Sequence, residues 1–523
     1  MNRRTMLAAL ALAASAGVPD VCAAPARVRP PAVAGTFYPA DPKELAAMVD
    51  GFLARAPAAP LEGVVALVAP HAGYVYSGQV AAHSYALLKG RTLARVVVIA
   101  PSHVDSFPYA AVYDGTGYAT PLGQIPVDTE FAAKLVKAGG GAVRLSSRGH
   151  STSGPQGEHA LEVQLPFLQR TVGRFKLVPV IMGDQGYDAC RALGLALARL
   201  IDGPDTVIVA SSDLSHFHSY DEAVKLDRKT LRAIEEWDYL SLSRNFARQI
   251  WEACGGGPIV AAMIAAERLG ASQAKVLKYA NSGDTTGDRS RVVGYGAVAI
   301  VKNVGRRAPG ATFSLGTADR TQLLAIAKRS VETAVRQGKV YECPKVSEAL
   351  MQERGAFVTL RKAGQLRGCI GYVAPVKPLG ETVRDVAAFA ALRDERFRPV
   401  TSAELPLLEY EISVLSPLRH VLDVKQIVVG RHGLVMRQRD AEGLLLPQVP
   451  VEQGWNRNTF LEQTCVKAGL PPRAWQDPDT DTFAFTALVF GDRAPVSEVE
   501  REDPAAVPRA PAPGSPAPSG APF

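Results

Sequence analysis

The feature that most constrains the fold is a run of β-branched and small apolar residues, Val64 to Ala69, that stops abruptly at Pro70, His71 and Gly73. A run without polar alternation reads as a parallel strand buried on both faces, and its punctuation predicts a loop presenting an imidazole. The pattern recurs twice. Arg95 to Ala100 is followed by Pro101, Ser102 and His103, and Thr206 to Ser211 is followed by Asp213, His216 and His218. Ligands in open α/β sheets bind beyond the carboxyl ends of the strands, so three such strands predict a metal or general-base site at one sheet edge.

The intervening segments supply helices. Asp41 caps one, with Pro42 at its first position. Others are predicted over Gly78 to Leu88, Asp128 to Lys137, the whole of EHALEVQLPFLQRTV, and Ala189 to Leu200. Further strands are KLVPVIMG and VVGYGAVAIV, and the Gly- and Pro-punctuated stretch from Ser106 to Asp128 reads as a hairpin over the sheet edge. This alternation predicts a three-layer α/β domain with a mainly parallel sheet. At 523 residues the chain needs more than one core. Periodicity is lost from Asn303 to Ala318, and beyond it short strands and helices mix as in an α+β domain. From about Arg501 the sequence is Pro-, Ala-, Gly- and Ser-rich and cannot bury a core.

The first residues have the form of a secretory signal: Arg3 and Arg4, an apolar stretch from Met6 to Gly17, and small residues before Arg27. The arginine pair loosely fits the twin-arginine type, and the chain is expected to be exported to the periplasm. The apolar stretch is too short for a permanent helix, so no integral membrane span is expected in the mature chain. The formal net charge of +7 draws partly on leader and tail, and no basic run is interleaved with aromatics, which argues against a nucleic-acid partner. Six cysteines without a CxxC pair are no disulfide framework.

Neutral imidazoles at His71 and His103 suit iron, copper or zinc, with Cys254 or a carboxylate as third ligand. Cys254 opens CGGGPIVAAMIAAERLG, where a helix N-terminus favours thiolate; the bland alternative is a small buried residue with glycines that merely turn the chain. Glu158 and His159 read equally as a proton shuttle at a pocket rim, or as a helix cap and a satisfied structural histidine. His83 is expected in core packing, and His150 and His218 at the solvent. Asp284 and Asp288 fit an ion site or Asx turns.

APHAGYVYSG, APSHVD, EHALEVQLPFL, SSDLSHF, CGGGPI and YANSGDTTGD, in this order from Pro31 to Lys302, resemble the successive motifs of the Memo family. The resemblance implies a fold like that of class III extradiol dioxygenases, with His71, His103 and Cys254 lining the metal site and Asp213 and His216 close by. A cysteine where those enzymes carry glutamate softens the donor set and admits Fe(II) or Cu.

In the second half, LRGCIGYV (Leu366 to Val373) reads as a strand with Leu366 and Ile370 facing the core and Arg367 and Cys369 side by side opposite. Arg367 would then lower the thiol pKa and bind an anion; a tight strand crossing with an inert thiol is the alternative. LRGCIG, with RDERFRPVTSAELPLLEYEISVLSP and WNRNTFLEQTCVKAGLP, is similar to the AMMECR family from Phe313 to Glu500. The expected organisation is a signal peptide at 1–26, a Memo-like domain at 27–302, a linker at 303–312, an AMMECR domain at 313–500 and a tail at 501–523. Such a fusion resembles the B and A components of the AmmeMemoRadiSam system, which implies a radical SAM protein as partner. The expected activity is redox turnover of a small-molecule or peptide substrate at an Fe or Cu site, with Asp213, His216, Glu158 and His159 as catalytic groups. The alternatives are a peptide-binding module without turnover and a zinc metallohydrolase.

Overall fold

The computed structural model describes residues 27–57, 61–153, 157–302 and 315–492. The expected signal peptide, linker and terminal tail lie outside the described residues. No described helix is long and apolar enough to cross a membrane.

The first domain is built on a nine-stranded sheet. Its path runs His216–His218, Val292–Val301, Val64–Ala69, Thr206–Ser211, Arg95–Pro101, Lys176–Met182, Ala110–Val112, Val143–Leu145, with Gln273–Asn281 also pairing on Val292–Val301. The four strands at its centre, from Val64–Ala69 to Lys176–Met182, are mutually parallel, and the sheet turns antiparallel on either side of them. Side chains alternate between two apolar layers. Val97 and Ile99 point into one core with Leu193, Leu197 and Ile264, while Val96 and Val98 point into the other with Leu45, Tyr85 and Phe167. Helices therefore cover both faces, which explains why the central strands carry no polar alternation. The hairpin Gly117–Thr120 and Gly123–Pro126 forms a small sheet with Val28–Arg29. Asp41 does cap the helix Pro42–Ala54, accepting from the Lys43 and Glu44 amides.

EHALEVQLPFLQRTV is not one helix. Only a 3-10 turn at Glu162–Gln164 and the helix Leu165–Thr171 form; Glu158 turns its carboxylate to His103 and the Ala160 amide, and Glu162 to partners at the start of the domain. Glu162 is fully buried and accepts from Arg29 Nη1 (2.6 Å), the Ala32 and Val33 amides, and the Tyr38 hydroxyl. Those four bonds clamp the start of the domain to its centre.

The second domain is α+β. The antiparallel sheet Gln365–Tyr372, Ala356–Lys362, Leu408–Leu415, Ala487–Gly491 packs under the helices Thr317–Gln337 and Leu379–Leu392. A second four-stranded sheet packs on the helix Arg457–Lys467. The two domains share an apolar core: Leu415, Leu418, Phe483 and Phe485 join Tyr187, Trp251 and the helix Gly256–Arg268. Polar bonds reinforce it, from Tyr187 and Arg191 to Asp481 and from Lys229 and Trp251 to Glu353.

Candidate metal centre

His71, His103 and Asp213 arrive together for a topological reason. Val64–Ala69, Thr206–Ser211 and Arg95–Pro101 are adjacent and parallel, so the residues just beyond their carboxyl ends fall side by side. Cys254 comes from the opposite direction. It precedes the helix Gly256–Arg268, whose start presses on the end of Thr206–Ser211. A Cβ at Gly255 would run into the Ser211 carbonyl, and one at Gly257 would lie 2.7 Å from Gln185 Cβ. The glycines thus permit close approach to the sheet, beyond any need for a turn. Ser212 Oγ accepts from the Gly255 amide, and Gln185 bonds both the Cys254 carbonyl and the Gly257 amide.

The result is a compact donor set. One ligand atom from each of His71, His103 and Cys254 lies within 4.8 Å of the others, and Cys254 Sγ is 3.1 Å from His71 Nε2. Hydrogen bonding fixes how the imidazoles present themselves. Ser211 Oγ donates its one proton to the Ala160 carbonyl at 2.6 Å and accepts from Gln164 Nε2 at 2.8 Å. Its remaining lone pair faces His71 Nδ1 at 2.9 Å, so Nδ1 carries hydrogen and Nε2 keeps a lone pair toward the sulfur. His103 Nδ1 bonds Glu158 Oε1 at 3.1 Å, and its amide bonds Oε2 at 2.6 Å. Burial raises the Glu158 carboxyl, but bonds from His103 and Ala160 outweigh it and keep it below its ordinary range, hence ionised. His103 therefore donates from Nδ1 and leaves Nε2 open. This is the outer-shell arrangement that metal-ligating histidines use.

Cys254 behaves differently from the expectation. Burial pushes its thiol up, and the Asp213 charge pushes the same way, so the helix start does not produce a thiolate. Asp213 is itself raised to about 7 by burial, against bonds from the His71 and Ala72 amides. Burial, with His103, His159 and His216 nearby, holds His71 neutral. A neutral imidazole, a protonated thiol and a carboxyl raised toward neutrality are what a desolvated pocket makes of these groups without a cation, and a coordinated cation would favour the ionised forms of the last two. The donor set fits a soft or borderline metal.

The remaining predicted residues divide. Glu158 is only 2% exposed, so it is neither at a rim nor a helix cap; it orients His103. His159 stacks on His103 with ring centroids 4.9 Å apart, and no hydrogen bond of ordinary geometry reaches its buried Nδ1. His216 gives Nδ1 to the Leu214 carbonyl and leaves Nε2 open. Beside it Phe217 sits at a left-handed φ of 64° in a bulged ladder, and Glu252 accepts from the His216 amide and meets His218 Nε2 at 2.8 Å. His150 is not at the solvent: it is 4% exposed, bonded to Tyr118 and the Ala111 carbonyl, and burial lowers it to about 3. His83 is half-buried on its helix, short of core packing. Asp284 completes a capping box with Asn281, and Asp288 bonds Ser290. Ser211, Gln164, Gln185 and Glu252 were missed by sequence reasoning; all but Gln185 lie within or beside the quoted motifs, and only the fold shows what they hold.

In the second domain Arg367 and Cys369 do not act on each other. A register shift at Arg367 turns Leu366 outward, 38% exposed, while Ile370 packs on the core. Arg367 grips Glu404 with Nε and Nη2, both at 3.1 Å. Cys369 instead meets Thr359 Oγ1 at 3.3 Å and lies near Arg396, and burial raises its thiol. A Cβ at Gly368 would strike the Ala390 carbonyl, so that glycine serves helix-on-sheet packing.

Fold and site together define a three-layer α/β protein with a His-His-Cys cluster at its strand ends. Residues 29–299 match the Memo-like protein family and residues 324–490 match AMMECR1. The chain belongs to the Memo-like family, with an AMMECR1 domain fused behind it. A MEMO1 family protein of Methanopyrus kandleri is 39% identical over 287 residues, 52% of this chain and 98% of that protein. One of Aeropyrum pernix is 39% identical over 52% of this chain and 100% of its own length. The crystal structure of an uncharacterised protein from Pyrococcus horikoshii is 41% identical, covering 33% of this chain and 91% of its own, with a TM-score of 0.32.

Proposed function

We propose that the first domain is a metal-dependent oxidoreductase whose ion, iron or copper, is held by His71, His103 and Cys254. The observation that carries the reading is the hydrogen bonding behind both imidazoles: each Nδ1 faces an oxygen acceptor, which leaves Nε2 to a ligand, and one donor atom from each ring lies within 4.8 Å of the Cys254 sulfur. A bound ion of this kind supplies electron transfer and Lewis acidity. The chain's own groups do the rest. Ser211 and Gln164 hold His71, and Glu158 holds His103. His216 Nε2, not spent on the protein, would hold or move a proton on a small substrate entering past the exposed face of His103, against which His159 stacks. Asp213 braces the His71 amide and faces the sulfur through its own amide.

We also propose that the AMMECR domain works with the first domain on one substrate and that a radical SAM protein completes the system; the shared core of the two domains supports joint action. Export rests on the leader and is tested by cell fractionation. The central test is elemental analysis of the purified full chain beside His71→Ala and Cys254→Ala, with oxygen uptake measured on catechols and thiols. Metal in the parent, its loss in both variants and uptake by the parent alone are expected. Equal metal content in all three removes the reading, and turnover with zinc but not iron or copper makes the site hydrolytic.

A further inference from the structure

A cleft between the domains, about 430 Å³ in volume, lies outside the metal cluster. One wall is the helix Tyr220–Glu235, where Lys225, Arg228, Lys229 and Arg232 recur at helical spacing and share a face. The other wall belongs to the second domain and presents an apolar strip of Met351, Val373, Pro375 and Pro378 beside the polar Glu348, Gln352 and Ser416. Trp251 lies at their junction, its indole nitrogen spent on Glu353.

Five basic and four acidic side chains line this cleft, and three of the four acids are already engaged. Glu353 is taken by Lys229 at 2.5 Å and Glu236 by Arg354 at 2.8 Å. Asp238 caps the next helix and is buried. Lys225, Arg228 and Arg232 make no side-chain hydrogen bond or ion pair among the described residues; Glu348 also lines the cleft, and Asp221 and Asp284 share a neighbouring hollow with Lys225 and Arg228. Like charges three and four residues apart on a helix destabilise it, and low-dielectric walls concentrate their field. An anion between them relieves both costs. A lone anion would leave the apolar strip wet, however, and Met351 is 57% exposed as it stands.

We propose that this cleft binds a small amphipathic anion, a carboxylate or phosphate head on an apolar body, with Arg228 and Arg232 on the head and Met351 and Val373 along the body. The volume suits such a ligand, and the guanidinium fork accepts either head. The site shares no residue with the metal cluster. It does reach toward it, because Trp251 is followed by Glu252, which holds His216 and His218, and then by Cys254.

Calorimetric titration of the full chain with octanoate, octyl phosphate and octanol tests this. At least one of the two anions should saturate a single site, with octanol at least tenfold weaker; whichever anion is tighter identifies the head. Arg228→Ala/Arg232→Ala and, separately, Met351→Asp should each weaken the tighter anion at least tenfold without changing circular dichroism, since these side chains face solvent. Cys254→Ala should leave the affinity unchanged. The proposal falls if neither anion saturates by about 1 mM, if octanol binds as well, if the arginine variant binds as tightly as the parent, or if Cys254→Ala abolishes binding.

Discussion

The chain carries two histidine-, arginine- or cysteine-bearing strand motifs that look equally reactive on paper, and the fold treats them in opposite ways. At the strand ends of the first domain, the buried partners of His71 and His103 bind the nitrogen away from the cluster and leave the inner one open. In the second domain the partners engage most of the motif: Glu404 takes Arg367 Nε and Nη2, leaving only Nη1 unbonded, and Thr359, Asp394 and Arg396 surround Cys369 through its thiol, amide and carbonyl. The difference teaches that reactivity depends on which lone pairs the second layer of residues leaves unspent, more than on which residue types meet.

The sharpest break of this contrast is a pair of cysteine substitutions. Cys254→Ala should strip the protein of metal while Cys369→Ala leaves metal content unchanged, measured by elemental analysis; a loss in both or in neither erases the distinction. Next come the orienting carboxylates. Glu158→Gln should weaken metal affinity by about 10–100-fold, since the acceptor behind His103 loses its charge, whereas Glu404→Gln should leave metal binding untouched; competition with a chromophoric chelator reads both.

The glycines give a smaller effect of the same kind. Gly255→Ala and Gly368→Ala each push a methyl into a backbone carbonyl, and each should cost about 1–3 kcal/mol in denaturant unfolding. Only Gly255→Ala should also lose metal, because it displaces the neighbouring Cys254. Acid provides the mildest comparison. His150 falls to about 3 in the fold, so between its ordinary value near 6.5 and that point the unfolded chain binds the extra proton and the first domain loses stability as pH falls. In the second domain the Arg396 bond holds the Asp394 carboxyl at about 2, which keeps its contribution intact until pH drops below its ordinary 3.8. Hydrogen exchange at pH 7 and 5, corrected for intrinsic rates, should therefore show earlier loss of protection around His150 than around Asp394. Equal loss would place the acid-sensitive groups elsewhere.

Much of the site was legible before any coordinates. Val64–Ala69, Thr206–Ser211 and Val292–Val301 fall where their apolar runs fall, because a strand buried on both faces admits nothing else. The late start of the helix after Glu158 was not legible: helical spacing is real in that segment, but nothing local shows that Glu158 and Glu162 bond His103 and Arg29, far away in the chain. His150 was misplaced because a lone histidine in a polar stretch carries no sign of the tyrosine and carbonyl that will enclose it. Leu366 was misplaced because a bulge shifts side-chain parity, and alternation alone does not announce one.

Composition and periodicity by themselves determined the layered architecture, the second α+β domain and the strand ends from which His71 and His103 project, since short-range pattern dictates what can be buried. Tertiary structure alone decided which imidazole nitrogen is free, that the Cys254 thiol is raised, that Arg367 is occupied, and that a basic helix face meets an apolar strip across the domain boundary. These depend on desolvation and on partners a hundred or more residues away in several cases, and no local pattern encodes either.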